Sequence, residues 1–174
     1  MSFGIDYLQN RISREIILAT PMGVTVESAD DSAVILRAPL APNANHKGTA
    51  FGGSIYSLAV LAGWAWLTLD LSARAIDGDA VIQESSMRFL RPVHGELRAC
   101  VDIPTAAQVD KFHKALLRAG RGRIRLCVNV YNAQTQDSAQ SVGDAQPVGD
   151  AQPVHNPQSV AAVFEGLFAA AMRR

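Results

Sequence analysis

From Gly48 to Leu69 the chain runs 22 residues without a charged side chain. No other feature limits the fold as strongly. As a helix rising about 1.5 Å per residue, this segment reaches across the roughly 30 Å of a bilayer core, so a membrane span and a buried core helix both have to be weighed. Glycines at 48, 52, 53 and 63 and the polar Thr49, Ser54, Tyr56, Ser57 and Thr68 interrupt it. Elsewhere the chain carries amphipathic strands whose apolar faces need a cover. A sheet with one apolar face buries a helix that is apolar on every side, so we expect a core helix and no membrane partner.

The strands come from period-two alternation. Two are expected between Val24 and Leu40, separated by "ESADDS"; in the second, Val34, Leu36, Ala38 and Leu40 oppose Ile35, Arg37 and Pro39. Ala80 to Val93 reads as one long strand, and "HG" at 94 and 95 turns the chain into Glu96 to Ile103. Residues 123 to 131 set Ile124, Leu126, Val128 and Val130 against Arg123, Arg125, Cys127, Asn129 and Tyr131. Val160 to Ala170 is the last strand, with Glu165 toward solvent and Gly166 marking a bulge or a close backbone approach.

Ile5, Leu8, Ile12 and Ile16 predict an amphipathic helix over 5 to 18, ended by Pro21 and Gly23. Thr105 with Gln108 forms a capping box for a surface helix bearing Val109, Phe112 and Leu116, which Gly120 stops. Residues 138 to 158 contain "VGDAQP" twice in succession, too few copies for a solenoid, and read as a surface loop without chemistry. The chain is expected to be a single domain over 1 to 174, with a helix in its first 20 residues.

Sixteen Lys plus Arg balance sixteen Asp plus Glu, which argues against a globally basic nucleic-acid binder. Asp6, Arg11, Arg14 and Glu15 break up the first 20 residues, so no secretory stretch is read there and a cytoplasmic location is expected. Cys100 and Cys127 lack zinc-site spacing and read as reduced structural thiols; no metal or cofactor is expected.

The start of the apolar helix is where chemistry concentrates. Gly52 and Gly53 allow close approach of backbone or ligand, and free N–H groups of Gly53, Ser54 and Ile55 at the positive end of a helix suit an anion or a developing oxyanion. The alternative is a tight loop-to-helix turn with no further role.

"NHKGTAFGGSIYSLAVLAGW" followed by "SSMRFLRPVHGEL" resembles the hotdog-fold thioesterases, and within them those similar to the YiiD C-terminal domain. The resemblance covers roughly residues 20 to 133 and the last strand. It implies an α+β hotdog fold, an antiparallel sheet wrapped around a central apolar helix. It also implies a homodimer with sites at the interface, and leaves open a tetramer. The substrate it implies is a thioester of acyl-CoA or of an acyl carrier protein.

Many such enzymes carry Asn, five residues, His-Gly-Gly, and an acid nine residues after the His. Here Asn45, Gly52 and Gly53 match, while Phe51 replaces the His and Val60 replaces the acid. Val60 cannot act as nucleophile or base. That leaves Asn45 to hold a water, with His46 as a candidate base or else a histidine in solvent. Phe51, Gly52, Tyr56 and Ser57 are candidates to line the substrate site.

Strand parity groups Gln83, Ser85, Met87 and Phe89 opposite Glu84, Ser86 and Arg88, so Ser85 faces the core or a partner's helix, where the family often has a hydroxyl. Arg121 and Arg123, within a basic cluster that includes Lys111, Lys114, Arg118 and Arg125, would meet coenzyme A phosphates or an acidic carrier, or simply form a solvated face. Two other readings stand beside hydrolysis. One is a non-catalytic acyl-thioester binder, motivated by Phe51 and Val60; the other is a hotdog dehydratase or hydratase, for which this helix shows no His and acid pair.

Overall fold

The computed structural model describes residues 2–133 and 160–173; the loop with the duplicated hexapeptide lies outside them. Its helices are α1 (Ser2–Glu15), α2 (Ala19–Met22), α3 (Gly52–Ala73) and α4 (Ala106–Ala119). Its strands are β1 (Thr25–Ala29), β2 (Val34–Ala38), β3 (Gly78–Phe89), β4 (Glu96–Asp102), β5 (Arg121–Ala133) and β6 (Val160–Met172). They form one antiparallel sheet in the spatial order β1-β2-β4-β5-β6-β3. Along β5 the alternation becomes geometry: Ile124, Leu126, Val128 and Val130 are buried on one face, and Arg121, Arg123 and Arg125 are exposed on the other.

Against the apolar face lies α3, in contact with every strand from β2 to β6 and with α1. Leu58, Ala59, Ala62, Ala65 and Leu67 have no exposed surface. The helix is long and apolar enough to cross a membrane, yet its surroundings are the sheet and α1. It is the core. Gly63 sets how closely β6 approaches, because a Cβ there would stand 2.5 Å from the ring of Phe168. Phe164 and Phe168 are fully enclosed, and burial of each contributes on the order of 2 kcal/mol.

Two boundaries and one register differ from expectation. The helix predicted over 5 to 18 stops at Glu15, and a separate single turn, α2, carries Pro21. Proline is tolerated there because the first turn of a helix has no intrahelical partner for its N–H groups. Gly23 then ends the turn at φ 69°, facing Pro39. The strand predicted to Val93 stops at Phe89, since the N–H groups of Leu90 and Arg91 both turn to the Ala161 carbonyl (2.8 and 3.0 Å).

The third difference matters most. The β3–β6 register slips between Ile82 and Glu84, so Gln83 has no residue opposite it. Ile82 faces Phe168, Ser85 faces Gly166 and Met87 faces Phe164, and directly opposed residues share a face. The bulge therefore switches the helix-facing set from even to odd positions, and Gln83 does not continue the face of Ser85, as unbroken parity had it.

Helix α4 is capped as expected: Thr105 Oγ1 accepts the Gln108 N–H at 3.4 Å and Gln108 Oε1 accepts the Thr105 N–H at 2.9 Å. It is tied to the far end of α3 by His113 Nε2 and Asp70 Oδ2, 2.6 Å apart and nearly buried. On the outer face of the sheet Glu27 accepts from Arg98, and Arg37 pairs with Glu96. Both cysteines are free. Burial pushes the Cys100 thiol up to about 11; burial and then Asp102 push Cys127 up to about 12. Both stay protonated near neutrality and are poor nucleophiles.

Candidate active site at the start of the central helix

One side chain draws the loop before α3 tight. Asn45 Nδ2 donates to Thr49 Oγ1 at 2.9 Å and to the Ala50 carbonyl at 3.4 Å. Its Oδ1 accepts the N–H groups of Lys47 and Thr49 at 2.8 and 3.3 Å. These bonds use both protons and both lone pairs of the amide. Asn45 therefore builds the turn and has nothing left to hold a water. Gly48 completes the turn at φ 73°, its N–H on the Asn45 carbonyl at 3.0 Å. His46 is exposed on the same turn.

The helix start is then anchored from behind. Ala50 N–H donates to the Val93 carbonyl at 2.9 Å and Phe51 N–H to the Asn43 carbonyl at 2.7 Å. Asn43, only 1% exposed, donates in turn to the carbonyls of Met22 and Pro39, both at 2.8 Å. Sequence reasoning missed Asn43. Its only signal is a polar residue in an otherwise apolar turn, "APNAN", and nothing in that spacing distinguishes it from Asn45.

Helix α3 opens without a side-chain cap. Among the described residues the N–H groups of Gly52, Gly53 and Ser54 have no partner. The Ile55 N–H, expected to be free, is bound to the Phe51 carbonyl at 3.0 Å, as the first intrahelical bond requires. Three donors thus remain at the positive end of a 22-residue helix. Two rings flank them. A Cβ on Gly53 would stand 2.3 Å from the Phe51 ring, and one on Gly52 would stand 3.5 Å from the Phe89 ring. Phe51 and Phe89 are 57% and 56% exposed, and Gly53 itself is exposed, so the rings wall the donors without covering them.

One turn further along, the Tyr56 hydroxyl lies 2.6 Å from Ser85 Oγ. The Tyr56 ring stands edge-on to Phe164 with centroids 5.8 Å apart, which fixes its direction. The β3 bulge is what brings Ser85 to the helix. Glu84 sits opposite Leu167 on the outward side. Ser57 and Val60 are half-buried, and Val60 packs against the core. Among the described residues no carboxylate bonds to Tyr56 or Ser85. The arrangement offers amide donors for an oxyanion, a hydroxyl pair beside them and aromatic walls.

Arg121 and Arg123 are not part of this site within one chain. They lie on the outer face of the sheet, and Arg121 pairs with Ala171, beside Met172, which pairs with Gly78 at the start of β3. The helix start adjoins Phe89 at the opposite end of that strand, roughly 35 Å away at about 3.3 Å per residue.

Comparison with known proteins follows the same geometry. Residues 5–144 match the family described as "Putative thioesterase (yiiD_Cterm)". A solved structure of a protein of unknown function from Chlorobaculum tepidum superposes with a TM-score of 0.79 at 30% identity, covering 97% of this chain and 94% of that one. A structure described as the "putative thioesterase" from Shewanella oneidensis gives 0.75 at 24% identity, covering 98% and 99%. A curated leucine–tRNA ligase from Saccharophagus degradans is 33% identical over 112 residues; the match takes in 63% of this chain, which spans 12% of that protein's length. The chain belongs to the family described as "Putative thioesterase (yiiD_Cterm)" and has an α+β hotdog fold.

Proposed function

We propose that the substrate is an acyl thioester of coenzyme A or of an acyl carrier protein, bound with its carbonyl oxygen on the Gly53 and Ser54 N–H groups. The observation that carries this reading is the set of unpartnered donors beside a hydroxyl pair. The donors stabilise negative charge as water adds to the carbonyl carbon. Tyr56 and Ser85 hold that water, and Phe51 and Phe89 flank the acyl group. His46 or a group from a second protomer takes the water's proton and returns it to the leaving thiolate as the C–S bond breaks. Asn45 acts through the loop it shapes. A cytoplasmic location goes with this reading.

A homodimer is part of this proposal. Strand β3 is 12 residues long and forms the end of the sheet among the described residues, with Val81 54% and Phe89 56% exposed along it. Such an edge requires a cover. Full-length antiparallel pairing with a second copy sets Gly78 opposite Phe89 and Asp79 opposite Arg88. That register pairs odd with even positions, which an unbroken strand forbids because opposed residues share a face. The bulge at Gln83 switches parity midway and makes the register consistent.

The test is steady-state turnover of acyl-CoA and acyl-carrier-protein thioesters of graded chain length. Hydrolysis that falls roughly tenfold or more in Tyr56→Phe is expected, about the worth of one hydrogen bond to the reacting water. Tight binding of every thioester with no turnover would overturn hydrolysis in favour of a binding protein.

A further inference from the structure

The far end of α3 borders a cavity of about 230 Å³. Trp66, Leu69, Ala73 and Ile103 make part of its lining apolar, and Asp30, Asp31, Asp70 and Arg74 make the rest charged. Trp66 follows Gly52 by 14 residues in the helix, which sets it roughly 21 Å along the axis at about 1.5 Å per residue. The cavity is therefore separate from the donors at the helix start.

Its charges do not cancel. Asp70 is shared between His113 Nε2 at 2.6 Å and Arg74 Nε at 3.5 Å. Those two groups answer one carboxylate. Asp30 is held by neutral groups instead: its Oδ1 accepts the Ser32 hydroxyl at 2.5 Å and the N–H groups of Ser32 and Ala33 at 2.8 and 3.0 Å. The Ser32 hydroxyl and N–H keep this carboxyl below the usual carboxylate range, so it is ionised near neutrality. Asp31, exposed in the same turn between β1 and β2, bonds to no cation among the described residues. Two carboxylates are thus left unmatched where the negative end of the helix dipole already favours a cation.

Trp66 gives a second, independent signal. It is 7% exposed, and its indole N–H, which can only donate, bonds to no group among the described residues. A buried indole N–H ordinarily finds an acceptor. Among the described residues the sealed side-chain polar atom without a partner is Asn43 Oδ1, so the Trp66 N–H is not sealed, and Trp66 meets open space at the cavity it lines.

We propose that this cavity binds a small organic ammonium, its apolar body against Trp66, Leu69 and Ile103, its charge beside Asp30 and Asp31, and a carbonyl oxygen on the Trp66 N–H. An amino acid amide has all three parts. A bare metal ion has only the charge, and among the described residues no three ligating side chains are gathered to hold one. The proposal is independent of the hydrolase reading, because it uses no residue of that site.

Phenylalaninamide is the probe, titrated by calorimetry at low salt in a buffer below the pKa of its amine. A Kd of about 1 mM is expected, ordinary for a ligand of about a dozen non-hydrogen atoms. Two relatives each lack one part: 3-phenylpropanamide has no ammonium and phenethylamine has no carbonyl. Each is expected to bind roughly threefold or more weakly, the worth of one exposed ion pair or one hydrogen bond. Asp31→Lys alters an exposed side chain. It is expected to weaken phenylalaninamide by roughly threefold or more while 3-phenylpropanamide stays within about twofold. Trp66→Phe keeps an aromatic wall without the N–H, and is expected to lose the preference for phenylalaninamide over phenethylamine.

A ligand that binds only the folded chain also raises its thermal midpoint. Phenylalaninamide is expected to do so in the wild type and to do so less in Asp31→Lys. Equal affinity for phenylalaninamide and 3-phenylpropanamide, undiminished binding in Asp31→Lys, a preference retained in Trp66→Phe, or no binding at roughly 10 mM would each overturn the proposal. Should Trp66→Phe fail to fold, the two relatives and Asp31→Lys decide without it.

Discussion

Tyr56 and Ser85 show how far single residues carry the chemistry. Each hydroxyl alone is a weak acid and a worse base, but at 2.6 Å one donates to the other and leaves a lone pair and a proton directed outward. If the pair orders the attacking water, removing either partner disables the same function. Tyr56→Phe and Ser85→Ala are each expected to lower kcat roughly tenfold, with the double variant falling well short of a hundredfold. Steady-state kinetics on one acyl-CoA check this, and fully additive losses would show that the two act separately. Asn45, Gly52 and Gly53 were legible in the sequence because turn and helix-start chemistry favours those residue types. The Tyr56–Ser85 contact was only half legible. Parity aimed Ser85 inward, but the bulge that does so sits at Gln83, where no glycine or proline announces it. The role expected for Asn45 changed for a similar reason: spacing identifies an amide, and only coordinates show that its four bonds are already made within the turn.

At the scale of elements, the apolar helix and the amphipathic strands were legible because burial imposes their periods of residue type directly. Boundaries were not, since they depend on which carbonyl each N–H finds: Leu90 and Arg91 leave the strand for Ala161, a residue 71 positions from Leu90 in the chain. Gly63 is a case where an element's packing rests on a missing atom. In the middle of α3 a glycine costs about 1 kcal/mol of helix propensity relative to alanine. Here alanine would place its Cβ 2.5 Å from Phe168, a ring enclosed on all sides that also abuts Gly166. Overpacking of such a core costs about 1 to 3 kcal/mol, more than the propensity recovered. Gly63→Ala is therefore expected to destabilise the protein by about 1 kcal/mol or more, read as a lower denaturant midpoint in urea unfolding. An unchanged or raised midpoint would show that β6 yields easily. Gly53→Ala is the contrasting case, because Phe51 is an exposed ring that can swing away.

For the whole molecule the deciding feature is the edge of β3, which pairs with no further strand among the described residues. In full-length self-pairing Asp79 and Arg88 meet twice across the join, and both lie on the outward face, since the bulge puts Asp79 before the parity switch and Arg88 after it. Opposed unlike charges stabilise such a pair modestly, and like charges destabilise it by a similar amount. Arg88→Asp places carboxylates opposite carboxylates at both positions, while Asp79→Arg with Arg88→Asp exchanges the two signs and restores attraction. The wild type is expected to sediment at twice the 18.6 kDa chain mass. Arg88→Asp is expected to dissociate at protein concentrations where the wild type stays paired, and the charge-exchanged double variant to recover at least part of the difference. Since Asp79 also holds Arg173, the comparison is made on mass in sedimentation equilibrium, and activity is read separately. Turnover that follows the paired fraction across all three proteins would tie the reaction to the assembled dimer. A wild type that remains a single chain at every concentration would leave β3 uncovered and remove the geometric basis for a shared site.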